Sequence, residues 1–283
     1  MRVSNVLPLV LLSSLSLGQT ATVPAASEAL SAKTIMERVA ANQDRAEAQR
    51  KEFVYKQHIH ILTHKPGGRL IREETADYDV APTPEGMQKS LKALTGKYWS
   101  KGKYLTFEGE PAPDSDSLDG DLIHNFRDDL SNEKSKDGLG KDLFPLTSEE
   151  QKEYDFQLLG QETQDGRNVY HIGFGPKDKH EITWAGEAYI DALEFQPVRV
   201  FTKLSRRIPL AVRTLLGTDV PGVGFNVVYK RQQDGVWFPV TFGTEFRIRA
   251  LFFINRQISV SLENSAFERT HVKSTMTIVG PVE

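Results

Sequence analysis

Val236-Trp237-Phe238-Pro239-Val240-Thr241-Phe242-Gly243-Thr244-Glu245-Phe246-Arg247-Ile248-Arg249-Ala250 is the stretch that decides the fold class. Val236, Phe238, Val240, Phe242, Thr244, Phe246, Ile248 and Ala250 fall on one face. Trp237, Pro239, Thr241, Glu245, Arg247 and Arg249 fall on the other. A period of two is that of a β-strand. The contrast between the faces predicts an antiparallel sheet with one side on an interior and the other in water. Asp234-Gly235 immediately before is a hairpin turn signal, and Ile254 to Leu262 alternates in the same way as a partner strand.

Working outward, Phe53, Tyr55, Gln57, Ile59 and Ile61 share one face of a second such run, with Lys56, His58 and His60 on its other face. Lys65-Pro66-Gly67-Gly68 turns the chain, and Leu70 to Val80 returns as the next strand. From Tyr154 onward the pattern is almost entirely β, with Asp165-Gly166 as a further hairpin turn. Two stretches break this rule. Residues 33–50 predict an N-terminal helix with a Thr34/Glu37 capping box and a narrow apolar stripe. An insert at about 118–152 predicts a helix from Leu118 to Lys134 behind Ser117 as N-cap, then a helical turn opened by Thr147 and Glu150. Residues 81–117 carry no clear period. Roughly eight to ten hairpin-linked strands make the fold class mainly β (α+β). The expected architecture is a curved antiparallel sheet, or unclosed β-barrel, with two or three helices covering its open apolar face.

Arg2 followed by the apolar run Val6–Leu17 and the small-residue site Val23-Pro24-Ala25 reads as a signal peptide over residues 1–25. Cleavage after Gly18 is the alternative. Residues 26–283 are then one domain, exported to the periplasm and soluble. The chain has no cysteine, which excludes disulfides and acylation on cysteine. The net charge of −3 is unevenly spread: between Gln196 and Leu262 ten Lys/Arg face three acids, which suggests a basic face.

Four short motifs point to a family. Gly186-Glu187-Ala188-Tyr189-Ile190-Asp191 is followed by Phe195-Gln196-Pro197-Val198-Arg199; Gly235-Val236-Trp237-Phe238-Pro239-Val240 and Phe267-Glu268-Arg269 come later. Together they resemble the LolA/LolB-like superfamily of periplasmic lipoprotein carriers, and within it the outer-membrane lipoprotein-sorting-like proteins. The resemblance covers about Tyr154 to Ile278. It implies an unclosed antiparallel barrel whose apolar interior accepts acyl chains under a helical lid. It transfers no functional residue, and the stretch 81–153 has no counterpart in it.

Candidate chemistry is sparse. His58 and His60, with His64 nearby, point the same way from one strand, as zinc ligands would, but nothing completes a set. They read as paired or solvated. Asp114, Asp116, Asp119 and Asp121 invite a calcium reading, but the EF-hand register puts Leu118, Asp119 and Asn125 where ligands and glycine are needed. Asp191 reads as the cap of a turn between strands. No phosphate loop, nucleophile elbow or zinc-protease pattern occurs.

The expectation is therefore a non-catalytic binding or carrier protein, without cofactor, metal or nucleic acid. Its partner is a lipid or lipoprotein acyl chain, with peripheral membrane contact as a further expectation. The cavity candidates are Phe53, Tyr55, Ile59, Ile61, Phe238, Val240, Phe242, Phe246 and Ile248. Two apolar connectors supply lid or membrane-contact candidates: Leu210, Leu215 and Leu216 in one, Leu251, Phe252 and Phe253 in the other. Each connector can be ordinary core, a lid over a cavity or a membrane-touching tip. An envelope scaffold with a filled interior is the alternative, and a hydrolase the second alternative.

Overall fold

The computed structural model describes residues 30–83, 86–110, 118–131, 144–180, 183–206, 218–219, 223–250 and 254–270. The signal-peptide candidate and all six lid candidates lie outside these residues. Eleven strands lie side by side, every neighbouring pair antiparallel. They are β1 (Phe53–His64), β2 (Leu70–Pro82), β3 (Met87–Ser100), β4 (Lys103–Glu108), β5 (Tyr154–Gln164), β6 (Arg167–Pro176), β7 (Trp184–Asp191), β8 (Pro197–Leu204), β10 (Gly224–Arg231), β11 (Trp237–Ala250) and β12 (Ile254–Arg269). A two-residue strand, β9 (Thr218–Asp219), pairs with the far end of β11.

The spatial order is β4-β3-β2-β1-β12-β11-β10-β8-β7-β6-β5. Two meanders therefore join where β1 pairs with β12, and β4 and β5 are the two edges. The sheet is unclosed, as the alternating pattern predicts. The chain passes from the β4 edge to the β5 edge through one connection, which contains helix α2 (Leu118–Ser131) and a 3-10 turn at Glu150–Glu153.

Helix α1 (Ala32–Arg50) buries Ile35, Met36, Val39, Ala40 and Ala46. Its cap is Ser31, whose hydroxyl accepts from Thr34 N–H at 3.1 Å. The helix thus starts one turn before the Thr34/Glu37 spacing suggested, because Ser31 already satisfies an orphan amide. The Thr147/Glu150 capping box forms as expected, with Thr147 N–H donating to the Glu150 carboxylate at 3.0 Å and Glu150 N–H to the Thr147 hydroxyl at 3.3 Å.

Two local patterns depart from the sequence reading. Residues 81–117, which carry no visible period, contain β3 and β4. The β2–β3 register slips between Asp77 and Tyr78, so β3 carries an extra residue that breaks its alternation. In β11 the register slips at Val228/Tyr229, leaving Val240 extra. Val236 to Val240 are consequently all buried, Trp237 and Pro239 included. Beyond the bulge the alternation holds: Phe242, Phe246 and Ile248 are buried, and Glu245, Arg247 and Arg249 are exposed. The basic segment does not form one face, because Arg256 is largely buried against Asp119 of α2 while Arg247 and Arg249 are exposed.

A Cβ on Gly186 would lie 1.9 Å from the Phe201 carbonyl oxygen, and one on Gly224 would lie 2.5 Å from that of Thr202. At these two points the backbones of β7, β8 and β10 approach more closely than any side chain would allow.

Candidate functional site

Register across the sheet assembles the site. Leu94 of β3 stands opposite Ala76 of β2, which stands opposite Ile59 of β1. Ile59 faces Leu262 of β12, Leu262 faces Phe242 of β11, and Phe242 faces Val227 of β10. The same line continues through Val200, Ala188 and Ile172 to Leu158 on β5. It crosses ten strands without a polar side chain, and every member but the last is buried. This row floors the inner face, and the protein's own atoms already cover it, nine of its ten members being at most 3% exposed.

Helix α2 covers part of that face. Phe126 packs on Phe246 with ring centroids 5.3 Å apart, and Asp119 accepts from Arg256 of β12. Arg127 reaches Glu74 of β2.

All nine cavity candidates are buried, but they fall into distinct groups. Ile59 and Phe242 lie in the apolar row. Phe225 packs on Phe242 at 5.1 Å and Trp184 on Phe225 at 4.8 Å, extending the surface sideways. Ile61, one step up β1, sits between Glu74 and Val260. Phe246 and Ile248 lie towards α2, opposite Ile258 and Arg256. Phe53, Tyr55 and Phe238 form a separate cluster with Val236 and Phe267, its rings 4.4–6.3 Å apart. Val240, at the bulge, borders an outer groove of about 1020 Å³ that also takes in Lys230, Thr241 and Glu263.

The inner face is not apolar throughout. Gln57 donates to Asn264, which donates to the Pro239 carbonyl, both at 3.0 Å. At the α2 end, Arg72, Glu74 and Arg127 are buried together. Arg72 Nη2 donates to Glu74 Oε2 at 3.1 Å and Arg127 Nη1 to Glu74 Oε1 at 2.6 Å. Arg127 Nη2 also reaches Glu110 at 2.8 Å. On β3, half-buried Lys89 stands opposite Val80, and burial pushes its ammonium down to about 7. The sequence pattern did not reveal Arg72 or Glu74, because charged residues at alternate strand positions read as a solvated face. The signal lay in the cross-strand partners Thr63 and Ile61.

The histidines are paired on the outer face: His58 with Asp77 at 2.7 Å and His60 with Glu73 at 2.9 Å. Among the described residues no group of three or more His, Asp and Glu is placed to hold a metal ion. Asp191 caps the β7–β8 turn, accepting from Leu193 and Glu194 N–H at 2.9 and 2.8 Å and from Arg167 at 3.0 Å. Burial would raise its pKa, but those donors outweigh it and hold the carboxyl below the usual carboxylate range. Beside it, Glu194 accepts from Trp237 Nε1, and Asn42 of α1 donates to the Glu194 and Phe195 carbonyls. The motifs Gly186–Asp191, Phe195–Arg199 and Gly235–Val240 thus meet around one turn and its struts.

Structural comparison returns solved proteins of low overall similarity that align over most of both chains. A LolA superfamily protein from Nitrosomonas europaea is 11% identical with a TM-score of 0.34, the match covering 87% of this chain and 96% of that one. A DUF1329 family protein from Desulfovibrio piger is 12% identical with a TM-score of 0.38, covering 86% and 95%. A domain described as a candidate outer membrane lipoprotein-sorting protein, from Vibrio parahaemolyticus, is 12% identical at 0.37, covering 84% and 95%. No protein-family model matches the chain, and no curated protein does.

Proposed function

We propose that this chain is a non-catalytic carrier that shelters an apolar ligand, a lipid or acyl chain, on the inner face of its sheet. The observation that carries the reading is the unbroken apolar row from Leu94 to Leu158, ten strands wide on an unclosed sheet. Burying ligand surface on such a floor supplies about 25 cal/mol per Å² and asks little polar specificity. The same reading places the protein in the periplasm. No helix among the described residues is long and apolar enough to cross a membrane.

A second reading, an envelope scaffold with a filled interior, is favoured by the cluster of Phe53, Tyr55, Phe238 and Phe267, whose rings occupy one end of the face themselves. One experiment separates the two. Protein purified from the periplasm is extracted for lipid mass spectrometry, stripped, and titrated with a fluorescent fatty acid. The carrier reading expects stoichiometric lipid in the extract and saturable probe binding weakened by Phe242→Leu but not by Thr241→Ser on the exposed side. No lipid and no probe binding by the unaltered protein makes it a scaffold.

A further inference from the structure

The end of the inner face beneath α2 carries polar groups that the fold does not use up. Thr63 of β1 and Arg72 of β2 stand directly opposite each other in register. Thr63 is 0% exposed and Arg72 3%. Arg72 spends one N–H on Glu74, and its guanidinium lies over the rings of Phe107 and Tyr98 at 5.1 and 5.8 Å. Among the described residues its Nε and Nη1, and the Thr63 hydroxyl beside them, have no hydrogen-bond partner. Leaving buried donors unbonded is costly, and more so on a charged group. The local charge is also unbalanced. Arg72 and Arg127 share the single buried carboxylate of Glu74, while Glu110, the other acid on Arg127, is mostly exposed. From within the buried cluster only Glu74 offsets the two guanidinium groups, and Arg72 keeps its free donors beside the Thr63 hydroxyl.

That constellation fits an anion with several acceptor oxygens, since a guanidinium edge binds carboxylate or phosphate through paired N–H donors and a threonine hydroxyl adds a third. It lies on the same strand as the apolar row: Thr63 and Ile59 are both on β1, and four residues of strand span about 13 Å. A single acyl chain attached to a head at Thr63 and Arg72 reaches the row and runs along it.

We propose that the ligand is a single-chain amphiphile with an anionic head, carboxylate or phosphate, seated by Arg72 and Thr63, with its tail on the apolar row. This rests on the carrier reading above. The test is calorimetric titration of lipid-stripped full-length protein with palmitic acid, lysophosphatidic acid and the uncharged methyl palmitate. The expected result is that at least one of the acids binds at least tenfold tighter than the ester. Palmitic acid alone doing so identifies a carboxylate head, lysophosphatidic acid alone a phosphate, and both an unselective anion site. Arg72→Gln is expected to bring the acid down to the affinity of the ester while the ester is unchanged. Thr63→Val, which keeps the shape and removes only the hydroxyl, is expected to lower acid binding severalfold and leave the ester alone, so the test survives if Arg72→Gln does not fold. Equal affinity for both acids and the ester overturns the head site and leaves the carrier standing. So does a Thr63→Val variant that weakens acid and ester alike. No binding of any of the three overturns both.

Discussion

Arg127 of α2 donates through Nη1 to Oε1 of Glu74 on β2 at 2.6 Å, and both side chains are almost fully buried. This ion pair, with that of Asp119 and Arg256, is a polar anchor between the helix in the edge-to-edge connection and the sheet it crosses.

Removing the shared acid leaves Arg72 buried with no counter-charge and Arg127 with only the exposed Glu110. Glu74→Gln is therefore expected to destabilise by about 3–5 kcal/mol, read as a shift in the urea midpoint. Glu73, the next residue, points outward, pairs with His60 and Lys97 and is part-exposed. Glu73→Gln is expected to cost less than about 1 kcal/mol. Similar losses from both would mean that the buried pair is not an anchor.

The two substitutions also mark where the sequence could be read and where it could not. β1 and the distal half of β11 were legible because one face of each is buried and the other wet, so Ile59, Ile61, Phe242, Phe246 and Ile248 announce themselves by period alone. β3 was illegible because an extra residue shifts its faces halfway along. Trp237 and Pro239 were placed outside because the bulge at Val240 cannot be seen in one strand's own pattern. Which candidates meet is a matter of register. Phe53 and Phe238 prove to be partners in a closed cluster, whereas Ile59 and Phe242 share a row through Leu262. The head-end pair Thr63 and Arg72 is visible only once β1 and β2 are aligned.

Asp191 sets an acid limit. Its folded pKa is depressed, so it contributes stability at neutral pH that is lost as pH falls from the unfolded value of 3.8 through the folded one. Asp191→Asn keeps an acceptor for the Leu193 and Glu194 amides but loses the charge that faces Arg167. The variant is expected to be less stable by about 1.5–3 kcal/mol at pH 7, the worth of hydrogen bonds to a charged group. The difference should shrink as the urea midpoints are compared at pH values falling further below 3.8. A difference independent of pH would assign the loss to packing.

Export is checked by mass. The run Val6–Leu17 behind Arg2 is expected to give a mature N-terminus between Gln19 and Ser27 and release by osmotic shock. Intact-mass measurement that finds the full N-terminus on a cytoplasmic protein would remove the periplasmic reading.

The close backbone approach at Gly186 is a direct test of what holds β7 against β8. A methyl group there would sit 1.9 Å from the Phe201 carbonyl oxygen, with Thr202 Cα at 3.0 Å. Neither atom belongs to a side chain that can rotate away, so β7 and β8 would have to separate. Phe225 of β10 pairs with Thr202 at the same level, and Val200 of the apolar row is only two residues along β8. Gly186→Ala is therefore expected to cost about 1–3 kcal/mol, in spite of alanine's lower backbone entropy loss. Gly160, also in a strand, has open space around its would-be Cβ and an ordinary φ. Gly160→Ala is expected to be neutral or to stabilise by up to about 1 kcal/mol. Thermal melts of the two variants decide the matter: if both melt alike, the approach at Gly186 is not what holds β7 against β8.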